Sequence, residues 1–78
     1  MIVEIDGYYN SSIVYGRKCT KKALKEMYLK ALSLTVDIRD LPGIFCRLYN
    51  FEEFPYTSEI FVDYVIDTDT NLIYKPRY

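Results

Sequence analysis

The chain has 78 residues, half of them apolar, with ten basic and eleven acidic side chains and no histidine. A chain of this length fits a single domain, residues 1–78, with a small hydrophobic core. The net charge of −1 favours neither nucleic acid nor a membrane surface as the partner on charge alone.

No targeting signal stands out in the sequence. The first residues carry acids early and lack the apolar stretch of a signal peptide, and no apolar run approaches the roughly 18 residues of a membrane span. Two cysteines are too few for a secreted disulfide framework. We therefore expect a cytoplasmic protein with reduced thiols that is not bound to a membrane.

The first 15 residues predict a β-hairpin. Met1, Val3 and Ile5 alternate with Glu4 and Asp6, which is typical of a half-buried strand. Residues 7–12 are turn-like, and the β-branched and aromatic residues 13–15 predict the second strand.

Residues 21–35 give the clearest pattern in the chain, an amphipathic helix that Thr20 is suited to cap. Its apolar stripe recurs at spacings of three and four residues: Leu24, Met27, Tyr28, Ala31 and Leu32. We expect this stripe to pack on the inward side chains of a sheet, namely Val3, Ile5, Val14, Ile60, Val62 and Ile66.

The second half of the chain predicts three more strands. Residues 44–51 are rich in aromatic and β-branched side chains and predict a strand, and residues 52–57, with Pro55, predict a loop. Residues 58–67 alternate as a strand does, although four of their apolar residues also share one helical face, so a helix stays open there. Residues 67–71 predict a turn and residues 72–75 a last strand.

The predicted order β-β-α-β-β-β favours an α+β fold. We expect a small antiparallel sheet of about five strands with one amphipathic helix packed on one face. One helix cannot cover both faces of such a sheet. The other face is therefore expected to be partly open or covered by a second copy.

Metal-binding and cofactor-binding patterns are weak. The spacing Asp67-x-Asp69-x-Asn71 imitates the start of an EF-hand loop, but that loop needs Gly at its sixth position and Glu at its twelfth, where this chain has Leu72 and Tyr78. No glycine-rich phosphate loop is present, and the chain has three glycines in all. We expect no metal and no cofactor.

Catalytic patterns are equally weak. Cys19 lies beside Lys18 just before the predicted helix, which would lower the pKa of its thiol, whereas Cys46 lies in a predicted strand and is expected in the core. A catalytic thiol needs a base, most often histidine, and the chain has none. We therefore expect no enzymatic activity.

Charge is segregated along the chain. Six of the ten basic residues fall between residues 17 and 30, where there is one acid, whereas six acids and no cation fall between residues 52 and 69. The start of a helix prefers acids, so the cations there need an explanation. Three explanations are open. The acidic segment folds back on the basic one, two copies of the chain meet through opposite charges, or one of the two charged segments binds a partner.

Two candidate binding surfaces follow from this charge pattern. The first is the basic start of the helix, with Leu29 as an apolar anchor, and consists of Arg17, Lys18, Lys21, Lys22, Lys25 and Leu29. The second is the acidic hairpin with the open sheet face, and consists of Glu59, Phe61, Asp63, Asp67 and Asp69. Thirteen aromatic residues, nine Tyr and four Phe, are more than so small a core can bury. Two explanations are open: packing with ordinary partial exposure, or an interface, where Tyr and Phe are enriched.

These patterns predict a small non-catalytic protein that acts by binding another protein, as an inhibitor or modulator of a larger host protein, of the anti-defence or antitoxin type. A homodimer is a further arrangement that the charges allow. Nine tyrosines without a tryptophan indicate that the chain comes from a low-GC bacterium or its phage. If it comes from a phage, we expect it in the cytoplasm of the host. The alternative is a nucleic-acid-binding module that uses the basic helix start, which the near-neutral charge makes less favoured.

Overall fold

The computed structural model describes residues 1–7 and 10–78, in which it has five strands and two α-helices. The elements in chain order are β1 (Ile2–Asp6), β2 (Ser11–Tyr15), α1 (Lys21–Ser33), a 3-10 turn (Ile38–Asp40), α2 (Leu41–Tyr49), β3 (Glu52–Phe54), β4 (Tyr64–Asp67) and β5 (Leu72–Tyr74). The predicted first turn includes Tyr8 and Tyr9, which lie outside the described residues. The α+β class with a small five-stranded sheet is confirmed.

The sheet has the strand order β3-β2-β1-β4-β5 and is mixed rather than wholly antiparallel. β1 pairs with β2 in antiparallel and with β4 in parallel orientation. β3 and β4 lie on opposite sides of the β1–β2 pair, so residues 55–63 have to cross one face of the sheet to join them. We call residues 55–63 the crossing segment, the face that it crosses the outer face, and the face that carries the helices the inner face.

The main core lies between the inner face and the two helices. Its fully or nearly buried side chains are Val3, Ile5, Val14, Leu24, Tyr28, Ala31, Leu41, Phe45, Phe51, Ile66 and Ile73. The predicted stripe of α1 is confirmed, because Leu24, Tyr28 and Ala31 are buried in this cluster and Met27 and Leu32 pack against it.

The strand predicted at residues 44–51 is wrong, because the chain forms α2 there. Pro42 occupies the first turn of the helix, where its missing N–H is not needed. Leu41 and Phe45, four residues apart, point into the core, and Asn50 ends the helix in a left-handed conformation with φ of 58°. Burial of Leu41 and Phe45 in the core outweighs the β-propensity of the individual residues of this segment.

The strand predicted at residues 58–67 is confirmed only for its last part, β4, and no helix forms there. Ile60 and Val62 lie in the crossing segment and pack with Ile13 and Val65 on the outer face, so the prediction that they lie under α1 is wrong. The alternation of Ile60 and Val62 with polar residues reflects their burial on the outer face, on the side of the sheet opposite to α1. The crossing segment thus covers part of the face that was expected to stay open.

Candidate partner-binding surfaces

The basic residues lie at the start of α1, as the sequence predicts. The Thr20 hydroxyl accepts a hydrogen bond from the Ala23 N–H at 3.1 Å and caps the helix. Arg17 and Lys18 lie in the loop before the cap, and the first turn contains no acid. The positive end of the helix dipole and the cations therefore add their potentials on one surface.

Leu29 lies on the exposed side of α1 and is 44% exposed. It follows Lys25 by four residues and Lys22 by seven, which places all three on one side of the helix. The buried stripe of α1 points elsewhere. Leu29 is therefore an exposed apolar side chain on the same side of α1 as Lys22 and Lys25.

The turn between β4 and β5 is fastened to α1 through Asn71. The Lys25 ammonium donates a hydrogen bond to the backbone carbonyl of Asn71, and the Tyr28 hydroxyl donates one to its side-chain oxygen. Asn71 adopts the left-handed conformation that presents both oxygens, with φ of 62°. The acidic hairpin thus does fold back on the basic helix, but it makes contact through an amide residue and not through a carboxylate.

The cations at the helix start have no carboxylate partner within the described ranges. The salt bridge found in residues 1–7 and 10–78 joins Arg39 and Asp37, far along the chain from the lysines. Arg39 donates to both carboxylate oxygens of Asp37 and holds the pKa of this carboxyl at about 2. The cations at the helix start therefore form no salt bridge within the described residues.

A shallow groove runs between α1 and the free edge of the sheet. Lys21, Lys22, Lys25 and Glu26 line it on the helix side. The opposite wall belongs to the edge strand β5, where Leu72 and Ile73 line the groove. We call it the α1–β5 groove; it combines a cationic wall with an apolar one.

The five residues predicted for the second surface lie in the crossing segment, in β4 and in the turn that follows β4. Glu59 and Phe61 lie in the crossing segment, where the 72% exposed ring of Phe61 packs against Tyr78 at 4.5 Å between centroids. Asp69 is exposed in the turn after β4.

Asp63 and Asp67 have structural roles of their own. The Asp63 carboxylate accepts a hydrogen bond from the Ile2 N–H at 2.8 Å. Asp63 also lines a cleft together with Lys18. Asp67 accepts hydrogen bonds from the N–H groups of Asp69 and Thr70, at 2.9 and 3.4 Å, and shapes the turn.

Three residues that the sequence analysis did not select lie next to Asp67 on the outer face: Glu4, Asp6 and Tyr74. Burial raises the pKa of Glu4, and the nearby Asp6 raises it further. Burial also raises the pKa of Tyr74, and Asp6, Asp67 and Glu4 add to this effect. The alternation of apolar and acidic residues in β1 indicates that Glu4 and Asp6 point to the same face of the sheet. It does not show that β4 lies beside them.

Neither thiol is activated. Burial raises the pKa of Cys19, although Arg17 opposes this effect, so the expected lowering of the pKa is wrong. Cys46 lies on α2 rather than in a strand and is partly buried. Burial, with a contribution from Glu53, raises the pKa of Cys46 to about 11. Both groups are thiols rather than nucleophilic thiolates at neutral pH.

The described residues contain no group of three or more His, Cys, Asp or Glu placed to hold a metal ion. None of the helices in this part of the chain has the length and apolarity that a membrane crossing requires.

Comparison of the chain with protein-family models, with curated proteins and with solved structures gave no match.

Proposed function

We propose that the protein is a non-catalytic interaction module that binds an acidic surface of another protein through the basic start of α1 and the α1–β5 groove. The observation that carries this proposal is the composition of the groove, which Lys21, Lys22 and Lys25 of α1 line together with Leu72 and Ile73 of the edge strand β5. Binding of this kind would let so small a protein inhibit or modulate a larger host protein.

The placement of the cations supports a binding role because it does not serve the stability of the helix. Cations in the first turn oppose the helix dipole at a cost of about 0.3–1 kcal/mol each when exposed. Lys21 and Lys25, four residues apart, also repel each other by a few tenths of a kcal/mol. A partner that supplies carboxylates would convert both costs into attraction.

The apolar side chains favour a protein as the partner over a phosphate backbone. Leu29 is exposed on the same side of α1 as Lys22 and Lys25, and Leu72 lines the groove with the lysines. Interfaces between proteins combine apolar anchors with a charged rim. The rim steers the encounter, and the anchors hold the complex. A standard interface of about 800 Å² per partner is a modest part of the 5317 Å² that the protein exposes.

The proposal is tested by affinity capture from host lysate, with and without nuclease, followed by mass spectrometry. The test variant carries Lys21→Glu and Lys22→Glu, which leaves Lys25 in contact with Asn71. The matched control carries Lys30→Glu and Arg77→Glu, two exposed positions outside the groove with the same change in charge.

We expect the parent and the control to capture the same protein after nuclease treatment, and the test variant to lose it. Capture that disappears with nuclease would replace the proposal with nucleic-acid binding. Equal capture by all three proteins would remove the groove from the interface.

A further inference from the structure

Two rows of side chains cross strands β1, β4 and β5 on the outer face. In the strand register, Asp6, Asp67 and Leu72 lie side by side in one row, and Glu4, Val65 and Tyr74 lie side by side in the next. Side chains alternate between the faces of a strand, and the intervening residues of all three strands are buried in the inner core. Neighbouring strands lie about 4.8 Å apart, so each row spans roughly 10 Å.

The crossing segment covers this part of the outer face incompletely. It buries Val65 through Ile60 and Val62. The side chains at the β5 end of both rows remain open to solvent, with Leu72 61% and Tyr74 45% exposed. An aliphatic and an aromatic side chain therefore lie on the surface directly beside the carboxylates.

The three carboxylates of these rows lack a cationic partner in the part of the chain that the structure describes. Asp6 accepts a hydrogen bond from the Ser11 hydroxyl at 2.6 Å, and Asp67 accepts from two backbone N–H groups of the turn. Asp6 and Asp67 are direct register partners, and like charges placed directly opposite destabilise a sheet. The raised pKa of Glu4 has the same origin in part, because the nearby Asp6 contributes to it.

We propose that this part of the outer face, formed by Glu4, Asp6, Asp67, Leu72 and Tyr74, binds an arginine- or lysine-bearing segment of a second partner protein. Guanidinium or ammonium groups would pair with the carboxylates and relieve their repulsion. The ring of Tyr74 offers a surface for a cation–π contact, and Leu72 can pack on the aliphatic stem of a long basic side chain. This surface is distinct from the basic wall of the α1–β5 groove and opposite to it in charge.

A second copy of the chain fits this surface poorly in either symmetric arrangement. Outer face against outer face would bring carboxylates together. Edge pairing of β5 with β5 about a two-fold axis would place the lysines of both α1 helices side by side. A contact between the groove of one copy and the outer face of another is heterologous and would build a ring or a filament. Leu72 also lines the groove, so the two surfaces meet at this residue.

The test is an NMR titration of the isotope-labelled protein with a short peptide that alternates arginine and alanine. A peptide with glutamate in place of arginine is the control ligand. We expect amide shifts in β1, β4 and β5, confined to the rows described above, with the arginine peptide only. Shifts spread evenly over all acidic surfaces, or no shifts at all, would overturn the proposal.

A pair of variants separates this site from general charge attraction. Glu4→Gln with Asp67→Asn should weaken binding of the arginine peptide about tenfold. Glu52→Gln with Glu59→Gln makes the same change in net charge at exposed positions outside the rows and should leave the affinity close to that of the parent. Equal weakening by both pairs would contradict the site. The variant Lys21→Glu with Lys22→Glu should still bind the peptide, so that failure of this proposal and failure of the proposed function remain distinguishable.

Discussion

Asp6 and Asp67 lie directly opposite each other on the parallel strands β1 and β4, with both side chains on the outer face. The direct opposition of the two carboxylates opposes folding, since like charges at directly opposed positions destabilise a sheet. The same is true of the lysines at the start of α1. Both charged surfaces are arrangements that reduce stability and that a partner of opposite charge would favour.

The first prediction concerns this pair. Asp67→Asn should stabilise the protein by about 0.2–1 kcal/mol, because asparagine keeps the oxygen that accepts from the turn and loses the repulsion from Asp6. Urea denaturation at neutral pH and low salt measures the change, and Asp69→Asn, exposed in the same turn, is the control. The gain should shrink in high salt; a destabilised Asp67→Asn protein would show that the repulsion is not significant.

The second prediction concerns the pH dependence of stability at Glu4. Its pKa in the folded protein is raised above the ordinary 4.5. The folded state therefore binds more protons than the unfolded state in the window just above pH 4.5, and stability falls as the pH rises through that window. Glu4→Gln should be more stable than the parent at pH 7, and the difference should vanish below about pH 4. A difference that is constant from pH 3 to pH 7 would contradict this.

The third prediction separates two leucines of α1. Leu24 is fully buried, so Leu24→Ala should cost about 2–5 kcal/mol and unfold much of so small a domain. Leu32 is only partly buried, so Leu32→Ala should cost clearly less. Chemical denaturation of both variants checks the order; equal costs, or a larger cost at Leu32, would mean that the register of α1 is different.

The fourth prediction concerns the contact between α1 and the β4–β5 turn. Asn71→Ala removes the acceptor of the buried Tyr28 hydroxyl and places alanine in a left-handed conformation, and should cost about 2–4 kcal/mol. Asn71→Gly loses the same acceptor but tolerates the conformation, so it should cost about 1 kcal/mol less. Thermal unfolding compares the two; identical costs would show that backbone conformation contributes nothing.

The sequence predicted α1 because its apolar stripe, from Leu24 to Leu32, repeats over more than two turns. It did not predict α2, a helix of nine residues whose Pro42 and Gly43 resemble a turn and whose aromatic residues favour a strand. In so short a segment the periodicity is weak, and burial of Phe45 against the sheet decides the outcome.

The basic surface could be predicted from sequence and the outer-face surface could not, for a physical reason. The residues of the first belong to one helix and the loop before it, so spacing alone places Lys22, Lys25 and Leu29 together. The second depends on the parallel pairing of β1 with β4. That pairing follows from the path of the crossing segment across the sheet, which no local pattern encodes.

The most direct test of partner binding through the basic start of α1 compares two leucines of similar exposure. Leu29 on α1 is 44% exposed and Leu48 on α2 is 42% exposed. Truncation of either to alanine should barely change stability, because neither lies in the core. Association and dissociation rates with the captured partner are then measured for both variants. We expect Leu29→Ala to weaken binding by about 1–2 kcal/mol, mainly through faster dissociation, with Leu48→Ala equal to the parent. Parent-like rates for Leu29→Ala would contradict the central claim.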